Sequence, residues 1–217
     1  AFAANAFGPR NLALAAKAEG ATLVHFSTDY VFDGPPRTPY VESDLPCPRS
    51  VYGASKVAGE LLVQASCSKS FIFRVCGLYG YAGSRDKGSN FVETMLSLGG
   101  QGKSLKVVND QFLTPTPTLD IVEAVLPVIA SKKYGLYHLT SEGACSWFDF
   151  AAAIFEEAGL EVDLSPVSSE FYKTSAPRPA YSVLENRALK MAGFADLPPW
   201  RAGLRRYIQG RSAHGRG

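Results

Sequence analysis

The stretch VYGASKVAGE places Tyr52 and Lys56 four residues apart. On a helix that spacing brings both side chains to one face. A tyrosine with an ammonium group one turn away can act as a general acid near neutral pH. The positive charge favours the phenolate and lowers a phenol pKa that is ordinarily about 10. The lysine also has donors to spare for a ribose hydroxyl. As a bare pattern, YxxxK more often marks a half-buried tyrosine beside a surface lysine, so the surroundings decide.

Those surroundings begin with STDYVFDG (Ser27 to Gly34), which follows the apolar run ATLVHFS. Its hydroxyls would stand at the carboxyl end of a buried strand, where ligands bind in open α/β sheets. Thr28 could hydrogen-bond a carbonyl that Tyr52 protonates, although Ser27, Thr28 and Asp29 alone also suit ordinary turn chemistry. A third stretch, GLYGYAG (Gly77 to Gly83), imitates a glycine-rich phosphate-binding turn. It leads into the polar SRDKGSN instead of a helix, and no acidic residue closes a strand about 20 positions later. That match is accidental.

The elements that must position these residues follow from apolar periodicity. A helix runs to about Lys17 and stops at Gly20. Buried strands are expected at Ala21 to Ser27 and Phe71 to Cys76, with a Pro-rich loop and a helix from about Val51 to Ala65 between them. NFVETMLSLGG and TLDIVEAVLPVIAS read as helices, SLKVV and GLYHL as strands. WFDFAAAIFEEAG reads as an amphipathic helix capped by Ser146. The last third is less regular and ends in a short helix. Alternating elements of this kind predict an α/β fold, a Rossmann-type doubly wound parallel sheet with a smaller C-terminal lobe. Residues 1–140 are expected to form the sheet domain, incomplete at its N-terminus, with insertions reaching the substrate side. Residues 141–217 are expected to form mainly a substrate-binding lobe and a basic tail.

Composition narrows the partners. The 217 residues are 46% apolar, and 22 Lys and Arg against 20 Asp and Glu leave a net charge of +2. That is too small to imply nucleic acid or an anionic membrane. Arg201, Arg205, Arg206, Arg211 and Arg216 read as a solvated helix end and tail. Cys47, Cys67, Cys76 and Cys145 form no CxxC pair, which suits reduced thiols in the cytoplasm. His25, His138 and His214 are scattered, and no metal site is expected. No apolar run approaches the ~20 residues of a membrane span. The first twenty residues lack a basic leader region and read as an amphipathic helix.

In their order and spacing, STDYVFDG, YGASKVAGE and FIFRVCGLYG resemble the extended short-chain dehydrogenase/reductase family, and within it the dTDP-4-dehydrorhamnose reductase branch. NFVETML, VVNDQFLTPTPTLDIVEAV, GLYHLTSEGACSWFDFA and APRPAYSVLEN extend the likeness from about Asn5 to Trp200. The resemblance implies an oxidoreductase that uses NADP or NAD to reduce a 4-keto nucleotide-sugar, dTDP-4-dehydrorhamnose to dTDP-L-rhamnose. It implies that Tyr52 supplies the proton, Thr28 orients the carbonyl, and Lys56 lowers the Tyr52 pKa and binds the nicotinamide ribose. Asn5 would steady the lysine through water, and Phe26 and Cys76 would line the cofactor. Asp29 would touch the sugar, with Asn90, Phe91 and Arg178 on the substrate side. Arg178 suits a diphosphate or a structural salt bridge equally well.

Two departures from the family pattern matter. Gly77 stands where the rhamnose-forming reductases place a tryptophan against the sugar, so a wider pocket is expected. The true glycine fingerprint would belong to roughly 70 residues upstream of the first residue, and without them the chain is expected to bind NAD(P) weakly or not at all. The rival reading is a non-catalytic sugar-nucleotide-binding or regulatory subunit on the same fold. The trio Thr28, Tyr52 and Lys56 favours the enzyme; the two departures favour the rival. Related reductases also offer a homodimer by analogy.

Overall fold

The computed structural model describes residues 1–35, 38–83, 88–172 and 176–211. The basic tail with His214 and Arg216, and positions 84–87 of the polar loop, lie outside the described residues.

A π-helical turn, Ala3–Phe7, runs straight into α1 (Gly8–Ala18), which leads to β1 (Leu23–Thr28). A 3₁₀ turn, Asp29–Val31, and a long loop precede α2 (Val51–Ser66), whose N-terminus is capped by the Ser50 hydroxyl accepting from Gly53 N at 3.1 Å. β2 (Ser70–Val75) and the short β3 (Leu78–Tyr79) follow, then α3 (Phe91–Gly99) and β4 (Leu105–Val108). β5 (Phe112–Leu113) and β6 (Thr116–Pro117) lead into α4 (Thr118–Ala130) and β7 (Gly135–His138). β8 (Cys145–Ser146), α5 (Trp147–Ala158), β9 (Leu164–Val167), α6 (Arg187–Met191) and α7 (Trp200–Gly210) complete the described chain.

The central sheet is parallel, in the order β1-β2-β7, with Thr28 opposite Val75 and Arg74 opposite His138. Every residue of β2 is buried, because helices cover both faces. Side chains alternate along it. Phe71, Phe73 and Val75 pack with Ile121, Val125 and Val128 of α4, while Ile72 packs with Ala13 of α1 and Val63 of α2. Each fully buried ring contributes about 1.5–3 kcal/mol. Arg74 lies on the α2 face and meets Glu60 through two bonds of 3.0 and 2.7 Å.

A second layer gathers chain from both sides of β7. β4 pairs in parallel with β9, and α3, α5 and α7 enclose a core that includes Tyr79, Leu96, Phe150, Ile154 and Leu204. α5 begins with a reciprocal capping box between Ser146 and Asp149 and ends at Gly159, whose φ of 64° needs no side chain in the way. Among the described residues no helix is long and apolar enough to cross a membrane.

Candidate active site

Thr28 is the last residue of β1, at the carboxyl end of the sheet. Its backbone is extended, and its hydroxyl accepts from Tyr30 N at 3.2 Å, which turns the chain away from the strand. Tyr52 lies in the first turn of α2. That turn docks closely on the Thr28 corner, since a Cβ on Gly53 would stand only 2.2 Å from the Tyr30 carbonyl oxygen. Only glycine permits the approach. Thr28, Asp29, Tyr52 and Gly77 therefore share one pocket of about 370 Å³.

The next turn of α2 carries Lys56, whose Nζ donates to the Phe26 carbonyl at 2.5 Å. Phe26 and Tyr52 are 43% and 46% exposed, so the three residues form an open ledge beside the pocket. Asn5 sits in the π-helical turn. Its Nδ2 donates to Ser55 Oγ at 3.1 Å, and Ser55 donates to the Tyr52 carbonyl at 2.7 Å. A Cβ on Gly59 would lie 2.1 Å from the Asn5 carbonyl oxygen, so this contact also depends on glycine.

Burial raises the Tyr52 pKa, against an opposing hydrogen bond from Thr28, where the spacing to Lys56 predicted a lowered one. The ammonium of Lys56 faces Phe26; burial lowers its own pKa, with Glu60 opposing. Asp29 is 5% exposed and held above the usual carboxylate range by burial, against bonds from Ser182, Cys76 and Thr28.

The sequence-predicted residues divide into groups. Thr28, Asp29, Tyr52 and Gly77 line the first pocket, with Phe26, Lys56 and Asn5 arranged beside or behind it. Cys76 is 1% exposed, with its thiol on Asp29. Phe91 and Arg178 line a second cavity of about 530 Å³, together with Lys106 and Tyr172. Asn90 lines neither; its side chain caps α3 at Glu93 N and donates to the Gly80 carbonyl. Gly77 has φ 56°, and a Cβ there would stand 2.9 Å from Leu113 Cδ1 and 3.1 Å from Pro115 Cα. A tryptophan at this position would require the backbone to move.

Residues that sequence reasoning did not single out join the two cavities. Gln111 and Trp147 line both, and Phe112 adds an aromatic surface to the first. Trp147 reads in sequence only as the start of a helix. Its neighbour Ser146, which caps that helix, was the one legible signal of where the ring would be fixed. Arg178 makes no ion pair among the described residues.

A parallel α/β sheet that ends in a threonine, beside a helix carrying tyrosine and lysine one turn apart, is the arrangement that the resemblance to the extended short-chain dehydrogenase/reductases implied. The particular family is given by comparison: the RmlD substrate binding domain matches residues 1–212, and the chain belongs to that family. The spore coat polysaccharide biosynthesis protein SpsK of Bacillus subtilis is 45% identical over 213 residues, covering 98% of this chain and 73% of that protein. The dTDP-4-dehydrorhamnose reductase of Escherichia coli is 39% identical over 215 residues, covering 94% of this chain and 70% of the enzyme. Among solved structures, the dTDP-4-dehydrorhamnose reductase of Bacillus anthracis in complex with NADP superposes with a TM-score of 0.90 at 42% identity, over 94% of this chain and 71% of that one.

Proposed function

We propose that the protein is an NAD(P)-dependent oxidoreductase that reduces dTDP-4-dehydrorhamnose to dTDP-L-rhamnose. The observation that carries this reading is the convergence of Thr28 and Tyr52 in one pocket, with Lys56 on the ledge beside it. The residues fit a nicotinamide nucleotide, because a lysine ammonium and a half-exposed phenol stand together at the open edge of the sheet. When bound, NADP or NAD supplies the hydride for the C4 carbonyl carbon. Thr28 orients the carbonyl oxygen, and Tyr52 delivers its phenolic proton to that oxygen as the alcohol forms. Lys56, which donates to the Phe26 carbonyl here, would hold the ribose hydroxyls, and its charge would favour the phenolate left on Tyr52. Asn5, through Ser55, holds the helical turn that presents Tyr52.

The second cavity suits the nucleotide half of the substrate. Lys106 and Arg178 offer cations for a diphosphate, and Phe91 and Tyr172 offer rings for a base. Because the cavities share Gln111 and Trp147, one ligand can occupy both. In this reading residues 1–140 form the nucleotide-binding sheet domain with insertions on the substrate side, and 141–217 mainly the substrate lobe. A homodimer, and a cytoplasmic setting that keeps the four free thiols reduced, complete it.

The test is oxidation of NADPH or NADH, followed by absorbance, with dTDP-4-dehydrorhamnose as acceptor. Turnover with formation of the 4-hydroxy sugar is expected when the assayed protein also carries a glycine-rich dinucleotide fingerprint. Binding of the nucleotide-sugar without turnover with either nucleotide would favour the regulatory reading.

A further inference from the structure

Thr28 has one hydroxyl proton, and the reductase reading asks that proton to meet the substrate oxygen. The structure commits it elsewhere. Thr28 Oγ1 lies 3.0 Å from Asp29 Oδ1 and already accepts from Tyr30 N. If Asp29 is ionised, the hydroxyl must donate to it, and Thr28 then offers a substrate carbonyl only lone pairs. If Asp29 carries a proton, the same contact runs the other way and the Thr28 proton is free.

The surroundings of Asp29 suit the protonated form. The carboxyl is buried at the end of β1, and among the described residues no Lys or Arg reaches it within ion-pair distance. Its second oxygen, Oδ2, accepts the Cys76 thiol at 3.1 Å. Ser182, from the chain before α6, stands 3.9 Å from the Cys76 sulfur and lies against the same pocket. A carboxylate there would meet only neutral donors, from Ser182, Cys76 and Thr28, and no cation, whereas a neutral acid keeps the Ser182 and Cys76 donors and gives its own proton to Thr28. The titratable groups facing it are the Cys76 thiol and the phenols of Tyr30 and Tyr52; the Arg178 cation acts on Tyr30. Burial raises the Asp29 pKa in agreement.

We propose that Asp29 works as a neutral acid behind Thr28, with Cys76 as the positioning residue that fixes its proton on the Thr28 side. The chain runs from the Cys76 S–H to Oδ2, from the Oδ1 proton to Thr28 Oγ1, and from the Thr28 hydroxyl to the substrate oxygen. No bond to carbon changes along it, and each oxygen keeps its own proton. A carboxylic acid kept neutral by an apolar site can donate in this way. The role of Thr28 rests on the reductase reading above; the protonation of Asp29 does not.

Two experiments separate the two claims. Infrared difference spectra of the ligand-free protein at pH 7, wild type minus Asp29→Asn, are expected to contain a carboxylic-acid carbonyl band. Absence of that band, with only the ionised carboxylate signal lost, would overturn the proposal whatever the activity. A band in a protein that does not turn over would leave this proposal standing and count against the reductase reading instead. In the active protein, Asp29→Asn keeps a donor for Thr28 and an acceptor for Cys76. The wild-type decline of kcat towards alkaline pH is expected to move to higher pH in this variant, because an amide has no acid proton to lose there. Cys76→Ala should lower kcat about tenfold with little change in KM, and Cys76→Ser should restore it. A loss beyond about a hundredfold in a folded Asp29→Asn, or an unaffected Cys76→Ala, would contradict the assignment.

Discussion

Arg74 and Glu60 show what single residues contribute beneath the site. Their side chains are 3% and 4% exposed, and the guanidinium also lies over the Phe32 ring at 5.1 Å. Removing one partner strands a buried charge, so Arg74→Met should cost about 3–5 kcal/mol in denaturant unfolding. The double variant with Glu60→Leu should recover much of that loss. His138, next to Arg74, is buried with Nδ1 close to the Tyr40 and Glu185 carbonyls. Burial, and then the Arg74 charge, lower its pKa to about 3. The unfolded chain therefore binds the extra proton first, and this residue's contribution to stability declines as pH falls from about 6.5 towards 3. NMR should show the His138 imidazole still neutral at pH 5, with stability already declining. In sequence His138 is only one of three scattered histidines; its partners come from segments 47 to 98 residues away.

At the scale of elements, α2 is the part on which the site depends. Its helical spacing and the common face of Tyr52 and Lys56 were legible, because they are local. Its two close approaches were not, because Gly53 and Gly59 look like weak helix residues until the Tyr30 and Asn5 carbonyls are placed against them. Gly59→Ala should separate α2 from the π-helical turn. A cost of about 1–3 kcal/mol in stability is expected, with reduced kcat as the Asn5–Ser55 brace loosens; unchanged stability and activity would show that the turn yields freely. The same distinction holds elsewhere. β1, β2, β4 and β7 follow from apolar runs, and the α5 cap from Ser146. The two-residue β3, β5, β6 and β8 exist only through partners distant in sequence, and β9 includes Pro166, which argues locally against a strand.

At the scale of the molecule, ion pairs join the last helix to the rest. Arg201 and Arg205 meet Glu156 and Glu157 of α5, Arg206 meets Asp120 of α4, and Arg211 meets Glu93 of α3. Arginines that sequence showed only as a basic cluster thus hold acidic partners on three other helices. Arg178 is left to face the larger cavity, and Arg178→Ala should raise KM for the nucleotide-sugar about tenfold with kcat little changed, as expected for lost ground-state binding. Equal KM values would place the diphosphate elsewhere.

The central claim is that Tyr52 protonates a ketone on a nucleotide-sugar bound across both cavities. Its most direct test is Tyr52→Phe, with turnover and nucleotide-sugar affinity measured on the same preparation. The account predicts a loss of turnover beyond about a hundredfold, with affinity within roughly threefold of wild type. Turnover close to wild type would contradict it, because the pocket would then be reducing its substrate without the one acid placed to finish the reaction.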